Sequence, residues 1–268
     1  MKGAISLLLV SRILFVGWAL SGTTAPLVAA TFTVNTQLDS HDTGGICAKA
    51  SGKCSLRSAI EESNAHPEFP AEIIIVPRGL YKLTLGQLEI KSSLFLRGSG
   101  PTLTIIDGNR RSRIFMISPK SGGTAANPTI VNISGVTIQN GYGGIENGAG
   151  IYVQPLTSVS LDNSRVIDNK SSVGGVGILN AGIFDLSRST VRGNVILGGG
   201  GGVTGIGAGI ANIRFQGQTT QSYLTITGST VSDNTGIRGG GIYNGRDSFT
   251  DITNSTISGN KASLGGRY

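Results

Sequence analysis

Histidine, cysteine and charge are all scarce in this 268-residue chain, and each shortage closes off a kind of chemistry. His41 and His66 are its only histidines, and Cys47 and Cys54 its only cysteines. A metal site near the cysteines would have His41 alone to complete it, so neither a metal nor another cofactor is expected. Charged residues make up 14% and aromatics 6%. The interleaving of basic and aromatic side chains that marks a nucleic-acid surface is missing, and no nucleic-acid partner is expected. No long helical periodicity occurs beyond position 66, which excludes a helical bundle. Arg12 interrupts the apolar stretch near the N-terminus and leaves it too short to span a bilayer.

What the chain has instead is 42 glycines and a phrase that returns. It reads LDNSRVIDN (Leu161 to Asn169), LSRSTVRGN (Leu186 to Asn194), ITGSTVSDN (Ile226 to Asn234) and ITNSTISGN (Ile252 to Asn260), with a fainter copy, ISGVTIQNG, from Ile133 to Gly141. Each copy carries an aliphatic residue at its first and sixth positions. The ninth is Asn in every copy but the faint one, which has Gly141. A Gly-Ile pair precedes each of the later copies: Gly150-Ile151, Gly177-Ile178, Gly209-Ile210 and Gly241-Ile242. A unit this small cannot bury its own apolar side and must stack on the next, which means a solenoid.

Apolar and polar residues alternate into each phrase, as in Val131/Ile133, Val159/Leu161, Phe184/Leu186 and Leu224/Ile226. Period two is that of a strand with one buried face. Small or polar pairs such as Asn163-Ser164 and Gly228-Ser229 then turn the chain, a second short strand is anchored by the sixth-position aliphatic, and Gly-Ile opens a third. The expected fold is therefore all-β, a parallel β-helix of three short strands per coil. Equivalent residues of successive coils would lie about 4.8 Å apart, and each buried aliphatic would contribute about 1.5–3 kcal/mol. Asn169, Asn194, Asn234 and Asn260 should form one structural ladder, and Asn180, Asn212 and Asn244 another, because Asn tolerates left-handed backbone and bonds its stacked neighbours.

Residues 1–30 read as a secretory signal: Lys2 at the start, an apolar stretch from Ile13 to Leu20, and Val28-Ala29-Ala30 as a small-residue cleavage site before Thr31. Removing Lys2 and Arg12 with this segment leaves 20 Lys+Arg against 15 Asp+Glu, a net charge of +5. Secretion to the medium or the cell surface, an oxidising setting, makes a Cys47–Cys54 disulfide the economical reading. Ser55 caps a short helix over SLRSAIEESNA, with Leu56, Ala59, Ile60 and Ser63 on one face and Pro67 past its end. Glu61 and Glu62, adjacent on it, point in different directions and read as a solvated face. Residues 31–71 thus form a cap of disulfide loop and helix that covers the otherwise open first coil. The solenoid occupies 72–268, with strand-like segments at 72–76, 81–85, 88–90, 94–96 and 103–106.

TFTVNTQLDSHD, then CSLRSAI and ESNA, resembles the Cys-Ser-Leu-Arg-Glu-Ala motif found near the start of many large exported bacterial proteins, with Ser58 standing where that motif has Glu. The segments IIIVPRGLYKLTLGQLEI, LRGSGPTLTIIDGN and SGVTIQNG, and the GGGIYN and STISGN repeats, follow in the same order as in those proteins. The repeats also bear a weaker similarity to the GGAI and FxxN repeats of chlamydial polymorphic outer membrane proteins. The resemblance runs from about Thr31 to the end. It implies a right-handed parallel β-helix displayed outside the cell, often adhesive in role, and supplies no catalytic residue. Relatives continue into further coils and an anchor, whereas here Gly265-Gly266 opens a coil that stops at Tyr268. A bare last coil would favour self-association, and a truncated product without independent function is the expectation if the ending is not native.

For function, the expectation is non-catalytic adhesion or binding of a polysaccharide or host-surface glycan. The alternative is a carbohydrate-active enzyme, a lyase or glycoside hydrolase of pectin-lyase-like fold. Hydrolysis needs two carboxylates about 5–10 Å apart. Asp168 and Asp233 hold equivalent places two coils apart, about 9–10 Å, yet Gly193 stands between them and exposed corners explain both. The Asn-Thr-Asp and Gly-His-Gly motifs of pectin-hydrolase-like helices are missing. So is the clustered acid and base of a lyase. Binding residues are sought on the insertions that stretch one coil to 40 residues: loop 195–208, and loop 213–222 with Arg214 and Phe215 placed to stack on and hydrogen-bond a sugar. Arg110, Arg111 and Arg113 would favour an acidic glycan or an anionic surface.

Overall fold

The computed structural model describes residues 29–264, apart from 42–43, 48, 50–51, 68–70, 145–147 and 199–204. The expected signal segment up to 28, the glycine run of the long coil and the final Gly265-Gly266 lie outside the described residues. Among the described residues the strands form parallel sheets of eight, seven, six and four strands. One coil shows the course of all. The chain passes through Thr157–Asp162 in the broad eight-stranded sheet and Arg165–Ile167 in the seven-stranded one. It continues through Lys170–Ser171 in the four-stranded sheet and Ile178–Asn180 in the six-stranded sheet, then re-enters the broad sheet at Ile183–Ser187. This is the parallel β-helix. Parallel crossovers are overwhelmingly right-handed, the hand that the resemblance implies.

The phrase is in register along the stack. Its first-position residues pair as Ile133, Leu161, Leu186, Ile226 and Ile252, and its sixth-position residues as Ile138, Val166, Val191, Val231 and Ile257. Up to Ile226 and Val231 these side chains are buried in a single core that begins at Phe32. The coil differs from the expected one by its fourth strand, the two-residue segments Lys170–Ser171, Val195–Ile196, Thr235–Gly236 and Lys261–Ala262. Each directly follows a ladder asparagine. The side-chain bonds of that asparagine hold successive corners together for two residues more, so Lys170 donates to the Gly141 carbonyl at 2.9 Å and Val195 to that of Asn169 at 3.0 Å. Two residues are too few for an alternation to be legible.

The helix spans Leu56–Asn64, with Ser55 Oγ accepting from the Ser58 amide at 3.0 Å. Its buried face holds Leu56, Ala59, Ile60 and Ser63, and it packs on the strands Leu88–Ile90 and Glu72–Val76. Ser63 and Ser92 share a hydroxyl bond of 2.7 Å, and Asn64 donates to the Glu89 carbonyl and accepts from the Lys91 amide, both at 2.7 Å. Thr31–Thr33, at the start of the cap, is itself the edge strand of the broad sheet, parallel to Glu72–Val76.

Candidate functional site

Two positions of the phrase require left-handed backbone, and this accounts for most of its polar residues. The third position is Gly135, Asn163, Arg188, Gly228 or Asn254, and the eighth is Asn140, Asp168, Gly193, Asp233 or Gly259; all have φ between 42° and 67°. Asn, Asp and Gly reach this region most easily. Asp168 and Asp233 are therefore where a corner needs them. A Cβ added at Gly193 would stand 2.7 Å from Asp168 Oδ1, so the intervening coil takes glycine. Asp233 accepts from Arg192 Nε at 2.9 Å. The two aspartates lie at equivalent corners two coils apart, with the coil of Arg192 and Gly193 between them.

The asparagines behave as rungs. Asn169, Asn194 and Asn234 are fully buried. Each Oδ1 accepts the backbone amide of the preceding corner, at 2.7–3.2 Å from Gly141 to Asn260. The Oδ1 atoms of Asn194, Asn234 and Asn260 also accept the preceding asparagine's Nδ2 at 2.9–3.0 Å. Each Nδ2 in turn donates to the sixth-position carbonyl one coil back, as Asn194 does to Val166 at 3.0 Å. In the second column, Asn180 donates to Asn212 Oδ1 at 2.9 Å and Asn212 to Asn244 Oδ1 at 2.8 Å. A third column was not legible from composition. Ser164, Ser189, Ser229 and Ser255, at the fourth position, each accept the amide of the equivalent residue one coil back at 3.0–3.3 Å and donate to their own i−2 carbonyl at 2.7–2.9 Å. Its signal in the sequence is the recurrence of Ser at one offset of the phrase.

Arg214 and Phe215 are engaged within the fold. Arg214 donates to the Gln218 carbonyl at 2.6 Å and to Asp247 at 3.2 Å. Phe215 meets Tyr152 edge-on at 6.4 Å and packs on a small outer cluster of Leu179, Ile206 and Ala211. The insertion thus covers the outward apolar face of the six-stranded sheet. Within loop 195–208, Ile196, Ile206 and Ala208 are buried. The trio of arginines is divided: Arg110 and Arg111 are exposed, whereas Arg113 is buried, donates to the Gly148 carbonyl at 2.8 Å and lies 5.1 Å over the Tyr152 ring. Cys47 and Cys54 form a disulfide. Among the described residues, no group of three or more His, Cys, Asp or Glu is arranged to hold a metal ion.

The cap carries the strongest buried charges. Arg57 and Asp39 are 5% and 3% exposed and pair at 2.7 Å. Arg57 also donates to the Gln87 and Gly86 carbonyls at 2.9 and 2.7 Å, and Asp39 accepts from the Thr84 and Leu85 amides at 2.6 and 2.8 Å. Burial alone would raise the Asp39 carboxyl, but the Arg57 and amide hydrogen bonds outweigh it and hold the pKa below 3.8. Glu72 is the opposite case. It occupies an inward position paired with Leu94, and burial pushes its pKa above 4.5 despite the Ser63 hydroxyl and His66.

The outward face of the broad sheet carries exposed apolar side chains. The column Ile130, Ser158, Ile183, Tyr223 and Phe249 runs along it, one residue per coil. Its apolar members are 41–51% exposed, and the rings of Tyr223 and Phe249 stack at 5.3 Å with planes 15° apart. Two residues further along each strand lies a polar column: Asn132, Ser160, Asp185, Thr225 and Asp251. At the corner beside Ile183 a cleft of about 250 Å³ opens between Pro128, Leu156, Tyr223, Thr220 and Gln221. Leu156 holds φ at +62°, a conformation that costs a branched side chain about 1–2 kcal/mol and that places it in the cleft wall. Sequence reasoning missed this face because outward residues carry no periodic constraint. A search of protein-family models gives no match to the chain, and a search of curated proteins gives none either.

Proposed function

We propose that this chain is an exported surface-recognition protein, akin to the Cys-Ser-Leu-Arg-Glu-Ala-bearing group, which adheres to or binds glycans without catalysis. The observation that carries the reading is the exposed apolar run of Ile183, Tyr223 and Phe249 beside a polar row on the broad sheet. Contiguous apolar surface of this kind marks binding sites, and a sugar chain matches it because each ring has an apolar C–H face and a polar rim. The corner aspartates support the same reading, since the first is set by backbone conformation and the second also engages Arg192. The test is to pass the purified protein over neutral, basic and acidic polysaccharides, measuring retention and chain cleavage on the same samples. Retention without cleavage is the expected result; cleavage of any member overturns it.

A further inference from the structure

The cleft beside Ile183 is too small to be the whole of a binding site and well placed to be part of one. Sites that enclose a complete ligand typically measure about 300–1,000 Å³, against about 250 Å³ here. Phe249 stacks on one face of the Tyr223 ring, and Tyr223 lines the cleft together with Ile183, its neighbour in the preceding coil. An apolar floor, an aromatic wall, and Thr220 and Gln221 at the rim suit a small planar group that is part methyl and part amide.

The columns beyond the cleft set the direction and charge of what is bound. From Ile183 through Tyr223 to Phe249 an apolar side chain recurs once per coil, every 4.8 Å or so, with the polar column about 6.6 Å to one side, two residues along each strand. A chain of pyranose rings lying along the solenoid axis advances by a similar step and presents C–H faces to one column and ring substituents to the other. The polar column carries Asp185 and Asp251, and neither makes an ion pair among the described residues. The nearby Asp162 is neutralised by Arg188. The flank is thus acidic on a chain of positive net charge, and the complementary substituent is an ammonium group.

We infer that this face binds an extended polymer of amino sugars, partly N-acetylated, with one acetamido group in the cleft against Tyr223 and free amines at Asp185 and Asp251. The inference rests on the glycan-binding reading and names its ligand class. It also reverses the acidic glycan that the arginine trio favoured.

Calorimetric titration of the full chain with chitosan oligomers of defined length tests it, with a cello-oligosaccharide of equal length and oligogalacturonate as comparators. Partly acetylated oligomers should bind at least about tenfold more tightly than the glucan. Tyr223→Ala should lose that preference and Tyr223→Phe keep it, with thermal unfolding confirming that both fold. Asp185→Asn with Asp251→Asn should abolish the salt dependence of binding to deacetylated oligomers and leave fully acetylated ones unaffected. Equal affinity for the glucan would overturn the amino-sugar assignment while leaving glycan binding intact. Preference for the galacturonate would overturn the charge argument. No binding to any of them would overturn the glycan reading itself, and this inference with it.

Discussion

The cap and the coils are held by opposite kinds of interaction. From Val131 to Val231 the buried contacts are neutral and repeated: aliphatic columns, two asparagine ladders and a serine ladder, each rung nearly identical to the next. Around the helix Leu56–Asn64 they are singular: the buried Arg57–Asp39 pair, the disulfide, and Glu72 in an inward position beside Leu94. The difference follows from what each region must do. A coil stacks on a copy of itself, and identical groups that both donate and accept can pair with themselves indefinitely. A cap must end that series against a surface unlike itself, which takes contacts used only once.

That comparison can be broken at either end. The largest effect is expected from Arg57→Ala, which strands Asp39 in the interior; urea unfolding should show a loss of about 3–5 kcal/mol. Asn194→Ala removes the acceptor of the Asn169 amide and side chain and the donor to Val166, and about 3 kcal/mol should be lost for the groups left unpaired. If instead it proves harmless, the ladder does not hold the coils. Reducing the disulfide, which spans seven residues, should cost about 2–3 kcal/mol in the chain-entropy account, read as a fall in the midpoint of the same unfolding curve.

Acid and alkali should act on the cap with opposite sign. Asp39 is depressed below 3.8, so its stabilisation is present above that value and lost as pH falls through the lower folded-state pKa. Glu72 is raised above 4.5, so its contribution is present below that value and lost as pH rises through the higher folded-state pKa. Glu72→Gln should therefore raise the melting temperature at neutral pH, with the gain disappearing below pH 4.5; an equal gain at all pH values would refute this. The smallest effect is expected at the corners. Asp168→Gly should change stability by no more than about 0.5 kcal/mol, whereas Asp168→Val, at φ +56°, should cost about 1–2 kcal/mol.

The solenoid and its asparagine columns were legible because they recur: Leu161, Val166 and Asn169 keep the same offsets in every full copy, and a residue's neighbour in space is its own equivalent. The Ser55 cap and the Leu56/Ala59/Ile60 face were legible from local rules. The serine ladder was overlooked because a serine in a turn already has a sufficient local explanation. Arg57–Asp39 spans 18 residues with no repeat to align it. Arg214 and Phe215 misled because a polar, aromatic loop looks the same whether it waits for a ligand or covers a sheet, and only the position of Tyr152 beneath Phe215 separates the two.

By itself the sequence determined three strands of each coil, their parallel stacking, the inward columns and the need for a cap, since each follows from local periodicity and from the cost of leaving apolar residues in water. The tertiary structure decided which outward residues are neighbours. Ile183, Tyr223 and Phe249 stand 40 and 26 residues apart and become one surface only when the coils are in register. The reason is that burial constrains the inside of every coil in the same way, while the outside is set by no rule that repeats.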